Sequence, residues 1–323
     1  MREVGVIVAR GLRKEFTVHR RAGLLRRTKE VVSAVDGIDL TVERGEMVGY
    51  IGPNGAGKST TLKMFTGILH PSAGELRVCG MAPVSQRTRL ALQIGVVFGQ
   101  RSALWWDLPL RDSFELLRHI YRVPATEHAA RLKTCRQLLD LGEFLDTPVR
   151  QLSLGQRMRG ELTAALLHGP RVLFLDEPTI GLDVVSKQAV RAFLADLGTG
   201  GDVTVVLTTH DLADIQRLCE RLVVIDHGRV VHDGSLESLH ARYGSRRRVV
   251  VDLDTPLEHP DGLLPGVELE SATAEGRRIT YTLSDGVAVG AVVARLAQHA
   301  SLRDISVVEP DIEEVVTRLY RTR

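Results

Sequence analysis

Gly52-Pro53-Asn54-Gly55-Ala56-Gly57-Lys58-Ser59-Thr60 is the stretch whose reading decides the fold. It fits the spacing G-x-x-x-x-G-K-[ST], a loop whose backbone N–H groups cradle phosphates. The flanks give that spacing its physical meaning. Met47-Val48-Gly49-Tyr50-Ile51 reads as a buried strand, and Thr61-Leu62-Lys63-Met64-Phe65 opens a helix. The glycines allow a tight turn that points several N–H groups into one concavity. The helix N-terminus adds roughly half a positive charge at the same place. Lys58 is expected to reach the β- and γ-phosphates, and the Ser59 hydroxyl to ligate Mg2+. Gly52, Pro53, Asn54, Gly55, Ala56, Gly57, Lys58, Ser59 and Thr60 are thus the first candidate site residues.

The composition sets the frame around this loop. A chain of 323 residues is long enough for about two domains. With 44% apolar and 25% charged residues it has the balance of an ordinary globular protein. The formal net charge of +2 gives no global basic field, so no nucleic-acid partner is expected. No run of about 18 apolar residues is present to cross a membrane. Met1-Arg2-Glu3-Val4 lacks the apolar core of a secretion signal. Cys79, Cys135 and Cys219 are odd in number and widely spaced, which suits reduced thiols of a cytosolic protein.

A second element lies far along the chain. In Arg171-Val172-Leu173-Phe174-Leu175-Asp176-Glu177-Pro178, four apolar residues run into two acids. This reads as a buried parallel strand ending at a ligand edge, because open α/β sheets bind ligands at the carboxyl ends of their strands. Asp176 is expected to hold Mg2+, directly or through water, and Glu177 to act as general base on an attacking water. Alone, two acids at a strand end are equally well solvated loop residues. Together with the phosphate loop they read as a nucleotide site.

With these elements the chain resembles the nucleotide-binding subunit of an ATP-binding cassette (ABC) transporter, over about residues 4–235. The order of elements carries the resemblance. After the phosphate loop come the glutamine loop, Val96-Val97-Phe98-Gly99-Gln100, and the signature, Leu152-Ser153-Leu154-Gly155-Gln156. The acidic strand end with Asp176 and Glu177 follows. Then come Gly181-Leu182-Asp183 and the switch histidine in Leu207-Thr208-Thr209-His210-Asp211. The resemblance implies an α/β fold, a P-loop NTPase cassette with a RecA-like core, an antiparallel β part and a helical subdomain at about 102–165. It implies ATP and Mg2+ as cofactors. Catalytic roles go to Glu177, His210, Lys58 and Gln100, and metal contacts to Ser59, Asp176 and Gln100. Ser153, Gly155 and Gln156 are implied to cap the nucleotide of a second cassette, the functional unit being a pair of cassettes, a homodimer. Asp183 is implied to lie at their seam, and Phe16 to stack on adenine, with a core position as its rival. Leu154 departs from the family pattern, which has glycine there. The signature residues are expected to precede a helix over Arg157–Leu167.

The remaining sequence divides the chain into a cassette, 1–240, and an accessory α+β domain, 245–323. Within the first, Arg20-Arg21-Ala22-Gly23-Leu24-Leu25-Arg26-Arg27-Thr28-Lys29 reads as a solvated mobile loop, with contact to anionic lipid as the alternative. Phe114, Leu116, Leu117 and Ile120 recur at helical spacing. Trp105 and Trp106 follow the glutamine loop, and at least one is expected on a surface that meets a membrane subunit. In the second domain, strands are expected over Arg246–Leu253, Ile279–Leu283 and Ile305–Val308, and helices over Val287–His299 and Ile312–Leu319. This domain resembles the extension of drug-exporter cassettes. The whole therefore reads as the ATPase subunit of an exporter of drug-like, antibiotic or polysaccharide/lipid cargo. It is placed at the cytoplasmic face of the membrane through separate permease subunits. Rivals are an importer ATPase, a soluble ABC ATPase of translation or DNA maintenance, and a regulatory module without turnover. The chain has one cassette and no inserted coiled coil, and it has both Glu177 and His210, which weigh against the last two.

Overall fold

The apolar runs that end in glycine, acid or threonine become neighbouring strands of one sheet. The computed structural model of the chain describes residues 5–21, 27–99, 102–209, 211–243, 247–257, 259–262, 264–273, 275–284, 286–308, 315 and 319. These fall into two units, Met1–Leu236 and Glu237–Arg323. The first unit opens with strands β1 (Ile7–Arg21) and β2 (Arg27–Val42), followed by β3 (Met47–Ile51) and helix α1 (Lys58–Phe65). Next come β4 (Ala73–Val78), the short α2 (Arg87–Ala91) and β5 (Ile94–Phe98). Helices α3 (Leu110–Tyr121), α4 (Ala125–Leu138) and α5 (Leu154–Leu166) precede β6 (Val172–Asp176). The unit continues through α6 (Val184–Gly200), β7 (Thr204–Thr208), α7 (Leu212–Leu218), β8 (Arg221–Asp226) and β9 (Arg229–Ser235).

Six of these strands form a sheet in the order β5-β6-β7-β3-β8-β9. The first five run parallel, and β9 returns antiparallel to β8. Parallel strands covered on both faces need unbroken apolar sequence. Val172, Leu173, Phe174 and Leu175 of β6 and all of β7 are buried accordingly. The register sets Phe98 beside Asp176 and Asp176 beside Thr208. The carboxyl ends of β5, β6 and β7 therefore share one edge with the loop that leaves β3. Phe65 of α1 packs on Phe174 of β6 with ring centroids 6.1 Å apart, which fixes the phosphate-loop helix against the acidic strand.

The antiparallel part is the sheet β2-β1-β4. Its longest piece corrects the loop expected around residues 20–29. Arg20 pairs with Thr28 and Arg21 with Arg27, so both strands run on through much of the basic segment. Thr17, Val18, Val31 and Val32 are strong strand formers, and they start the backbone ladder that continues to the Arg21–Arg27 pair. Residues 22–26 lie outside the described residues.

In the helical region α3 shows that the spacing overstated the core. Phe114 and Leu117 are buried, whereas Leu116 and Ile120 are exposed. Helix α5 starts at Leu154, three residues ahead of expectation, because Ser153 caps it. All three cysteines are free, and burial pushes the Cys135 and Cys219 thiols up to about 11 and about 12. No described helix is long and apolar enough to cross a membrane.

Helix α8 (Leu236–Tyr243) spans the division between units. The second unit holds β10 (Arg247–Leu253), β11 (Val267–Ala272), β12 (Arg278–Leu283), α9 (Val289–Ala297) and β13 (Leu302–Val308). Its antiparallel sheet runs β11-β12-β10-β13. One face carries Val249, Val251, Ile279 and Tyr281 against Val292 and Leu296 of α9. Strand β11 had no counterpart among the sequence expectations. Of the helix expected over Ile312–Leu319, only 315 and 319 are described.

Candidate functional site

The phosphate loop, Asp176 and Glu177 meet in one cleft. It measures about 1050 Å³ and is lined by Gly52, Pro53, Asn54, Ser59, Asp176 and Glu177, with Phe98 and Ile180 at its side. Gly57 ends the loop at φ 107°, and a side chain there would collide with the Ala34 carbonyl of β2. The loop can therefore lie close to β2 only with glycine. Ala56 is buried, and its N–H donates to the Pro53 carbonyl at 3.1 Å. Thr60 sits in the first turn of α1 behind the loop.

Lys58 is nearly buried, and its Nζ donates to the carbonyls of Gly52 (2.6 Å) and Pro53 (3.2 Å). Burial pushes its ammonium below the ordinary lysine value, and the carboxylates of Glu177 and Asp176 oppose that shift. Ser59 Oγ donates to Asp176 Oδ2 at 3.2 Å, and Thr208 Oγ1 donates to Asp176 Oδ1 at 2.6 Å. One carboxylate is thus held by two hydroxyls from the ends of different elements. Thr208 was not singled out from sequence. A hydroxyl ending an otherwise apolar strand beside the acidic strand was the available signal.

Glu177 stands at φ 57°, in the left-handed region that glutamate rarely adopts. Its N–H donates to the Thr208 carbonyl at 2.9 Å, which helps hold that conformation. Strain of this kind at a strand end is characteristic of residues kept for their direction. Gln100 and His210 lie outside the described residues. The residues before them are placed: Gly99 N–H donates to the Asp176 carbonyl at 3.1 Å, and buried Thr209 follows Thr208.

The donor set fits a nucleotide phosphate with Mg2+. Ser59 and Asp176 offer hard oxygen ligands, and a Mg2+ ion takes its other ligands from phosphate and water. Among the described residues no group of three or more His, Cys, Asp and Glu could hold a metal unaided.

A second cluster lies at the N-termini of α5 and α6, and its residues do not line the cleft. Ser153 and Gln156 form a capping box: Gln156 N–H donates to Ser153 Oγ (3.2 Å), and Ser153 N–H donates to Gln156 Oε1 (2.9 Å). Gly155 abuts α6, and a Cβ there would overlap Ser186 Oγ. Leu154 is exposed and leans toward Gly181. Only the second of the two positions between Ser153 and Gln156 therefore needs glycine for packing. Asp183 caps α6 by accepting from Ser186 N–H (2.9 Å) and Ser186 Oγ (2.7 Å), bonds that lower its carboxyl pKa. Phe16 is exposed on β1 opposite Val32, with Lys14 Nζ 5.2 Å from its ring, so the core position is ruled out. Trp105 and Trp106 are also exposed.

A network unseen in the sequence links the segments after Glu177 and around Asp211. Thr179 Oγ1 donates to Asp214 Oδ2 at 2.6 Å, and Arg191 binds both Asp214 and Asp211. Lys187 also binds Asp211. Asp214 is buried, and nothing in local sequence marks a partner 35 positions away.

Comparison with known proteins agrees with this geometry. Residues 35–180 match the family described as ABC transporter. The chain is 35% identical over 291 residues to the daunorubicin resistance ATP-binding protein DrrA3 of Streptomyces coeruleorubidus, covering 88% of this chain and 90% of that one. It is 35% identical over 289 residues to the Nod factor export ATP-binding protein I of Paraburkholderia xenovorans, covering 89% and 92%. Among solved structures it is similar to the ATP-binding cassette MJ0796, a dimer in a post-hydrolysis state bound to ADP and Pi. That match has a TM-score of 0.61 at 26% identity and covers 71% of this chain and 98% of that one. With the phosphate loop and acidic strand end in one cleft, and relatives matched over nearly their full length, the chain belongs to the ATP-binding subunits of ABC transporters and is an ATPase.

Proposed function

We propose that this ATPase drives export through separate membrane subunits, as one of a pair of cassettes at the cytoplasmic face of the membrane. The hydroxyl–carboxylate convergence of Ser59, Thr208 and Asp176 beside Lys58 is the observation that supports the site reading. Lys58 and the loop N–H groups bind the β- and γ-phosphates, and Ser59 and Asp176 hold Mg2+, which neutralises charge on the transferring phosphoryl group. Glu177 takes the proton of the attacking water, and Gln100 and His210 orient water and phosphate. Phe16 offers its exposed face to the adenine ring.

Ser153, Gly155 and Gln156 stand outside the cleft, and the family resemblance assigns them to the nucleotide of a second copy, with Asp183 at the seam. Closure over two nucleotides and reopening after hydrolysis supply the stroke. Export is favoured because the long-spanning relatives carry drug-resistance and export names. Cargo of the drug-like, antibiotic or polysaccharide/lipid kind follows from the same likeness. The test is recovery of the tagged chain from detergent-solubilised membranes of its host, with mass spectrometry of what accompanies it. The expected partner is a polytopic membrane protein of an exporter type. A partner of importer type reverses the direction, and a chain found only on ribosomes or DNA overturns the transport reading.

A further inference from the structure

One buried carboxylate serves none of the roles above. Glu161 lies in the middle of α5, five residues beyond the last signature residue, Gln156, and is 6% exposed. Both of its oxygens are used on a single loop: Oε1 accepts from Ser102 Oγ, and Oε2 accepts from Ala103 N–H at 3.0 Å. That loop begins directly after Gln100 and Arg101. Ser102 Oγ also accepts from Leu104 N–H at 3.1 Å, so the carboxylate organises the turn leading to Trp105. Four residues back along α5, the Arg157 guanidinium stands 5.6 Å from the Trp106 ring centre. The Trp106 carbonyl accepts from Arg150 N–H at 2.9 Å. Burial pushes the Glu161 carboxyl above its ordinary value, and the bonds from Ser102 and Ala103 and the charge of Arg157 oppose this.

A carboxylate in such a place is costly unless its lone pairs are taken up. Here they are taken up by two donors from adjacent residues, Ser102 O–H and Ala103 N–H, which an aliphatic side chain could not replace. At its other side, the loop is continuous with Gly99, whose N–H is bonded to the carbonyl of Asp176. A segment that begins at the nucleotide cleft is therefore fastened side-on to the helix whose first turn holds Ser153, Gly155 and Gln156.

We propose that Glu161 is a positioning residue for ATP turnover, clamping the segment after Gln100 to α5 so that the cleft, the tryptophan pair and the signature turn shift together. The proposal rests on the site reading above and adds a residue to it. Glu161 touches no reacting atom. It acts through the strand end at Gly99 on one side of the clamp and through Ser153–Gln156 on the other.

The chain's two tryptophans, Trp105 and Trp106, both lie in the clamped loop, so fluorescence excited selectively at tryptophan reports on this segment. The experiment compares wild type, Glu161→Leu, Ser102→Ala, Ser102→Thr and the double variant E161L/S102A as full chains, with and without Mg-ATP. ATP is expected to shift the tryptophan emission of wild type and Ser102→Thr, and not of Glu161→Leu or Ser102→Ala. The two affected variants are expected to lose about tenfold in kcat, as misplaced groups near a reaction do, with KM for ATP changed by less than about twofold. The double variant should be no worse than either single one, because both remove the same contact. Ser102 is exposed, so Ser102→Ala keeps the test alive if Glu161→Leu fails to fold. An emission shift that persists in both single variants contradicts the clamp, even where turnover through Glu177 stands. Additive losses in the double variant contradict it as well.

Discussion

Ser59 and Asp176, 117 positions apart, are joined by a 3.2 Å hydrogen bond from hydroxyl to carboxylate. The second carboxylate oxygen receives Thr208 at 2.6 Å. The bond brings the end of the phosphate loop to the end of β6. Two hydroxyls thus fix the direction of one acid.

From this follows the first prediction. Asp176→Asn is expected to remove Mg2+-dependent ATPase activity by about 100-fold or more, and Thr208→Val to lower it by about tenfold through looser aim of the same carboxylate. Steady-state ATPase assays over a Mg2+ titration measure both. An Asp176→Asn variant with an unchanged Mg2+ response would remove Asp176 from the metal.

The contact of Gly155 with Ser186 gives a second. Gly155→Ala drives a methyl into Ser186 and should destabilise the chain by about 1–3 kcal/mol. Leu154→Gly, at an exposed position in the first turn of the same helix, should cost no more than about 1 kcal/mol. Urea unfolding separates them. In a Ser186→Gly background, which by itself loses the bond to Asp183, adding Gly155→Ala should cost much less than it does in wild type, and an undiminished cost would mean that Ser186 is not what the methyl meets.

Asp214 carries a third. It is 1% exposed and receives Thr179 and Arg191. Asp214→Ala leaves Arg191 with a partly buried charge facing only Asp211, and is expected to cost about 3 kcal/mol in thermal or urea unfolding. A loss below about 1 kcal/mol would mean the network adds little beyond exposed pairs.

His168 sets a pH dependence. Its ring stacks on Tyr121 at 4.1 Å, Nε2–H donates to the Ile94 carbonyl at 2.9 Å, and Nδ1 is buried with no hydrogen-bond partner among the described residues. Burial pushes its pKa from 6.5 down to about 4. Between those values the unfolded chain binds the proton and the folded chain does not, so stability falls as pH drops through that window. The slope from this group approaches about 1.4 kcal/mol per pH unit. Denaturation of wild type and His168→Gln at pH 7 and pH 5 should show a smaller acid loss in the variant. Equal losses would place the proton uptake elsewhere.

Much of the fold was written in local sequence, because parallel strands need continuous apolar runs and the phosphate loop needs glycines at fixed offsets. The strands ending at Ile51 and Asp176 and the helix after Gly57 appear where their sequences put them, within one to three residues. Other features depend on contacts that no local window contains. Leu116 and Ile120 have core spacing but face outward, since helical period gives a face without saying what covers it. Strand β11 carries Glu268, Glu270 and Ser271, so its half-exposed edge looks like loop. The ribbon through Arg21 and Arg27 exists by cross-strand pairing that overrides a charge run. The glycine spacing and the paired acids mark the cleft in sequence. Thr208, Asp214 and Glu161 do not announce themselves, because each is defined by a partner more than 30 positions away.

The central claim is that Glu177 activates the water that cleaves ATP. The most direct measurement is ATP turnover and ATP retention by Glu177→Gln, a substitution that keeps the size of the side chain and its backbone conformation. Turnover should fall by about 100-fold or more, the usual weight of a general base. The variant should still bind ATP and accumulate as an ATP-bound pair of chains on size-exclusion chromatography. Wild-type turnover by Glu177→Gln would contradict the account.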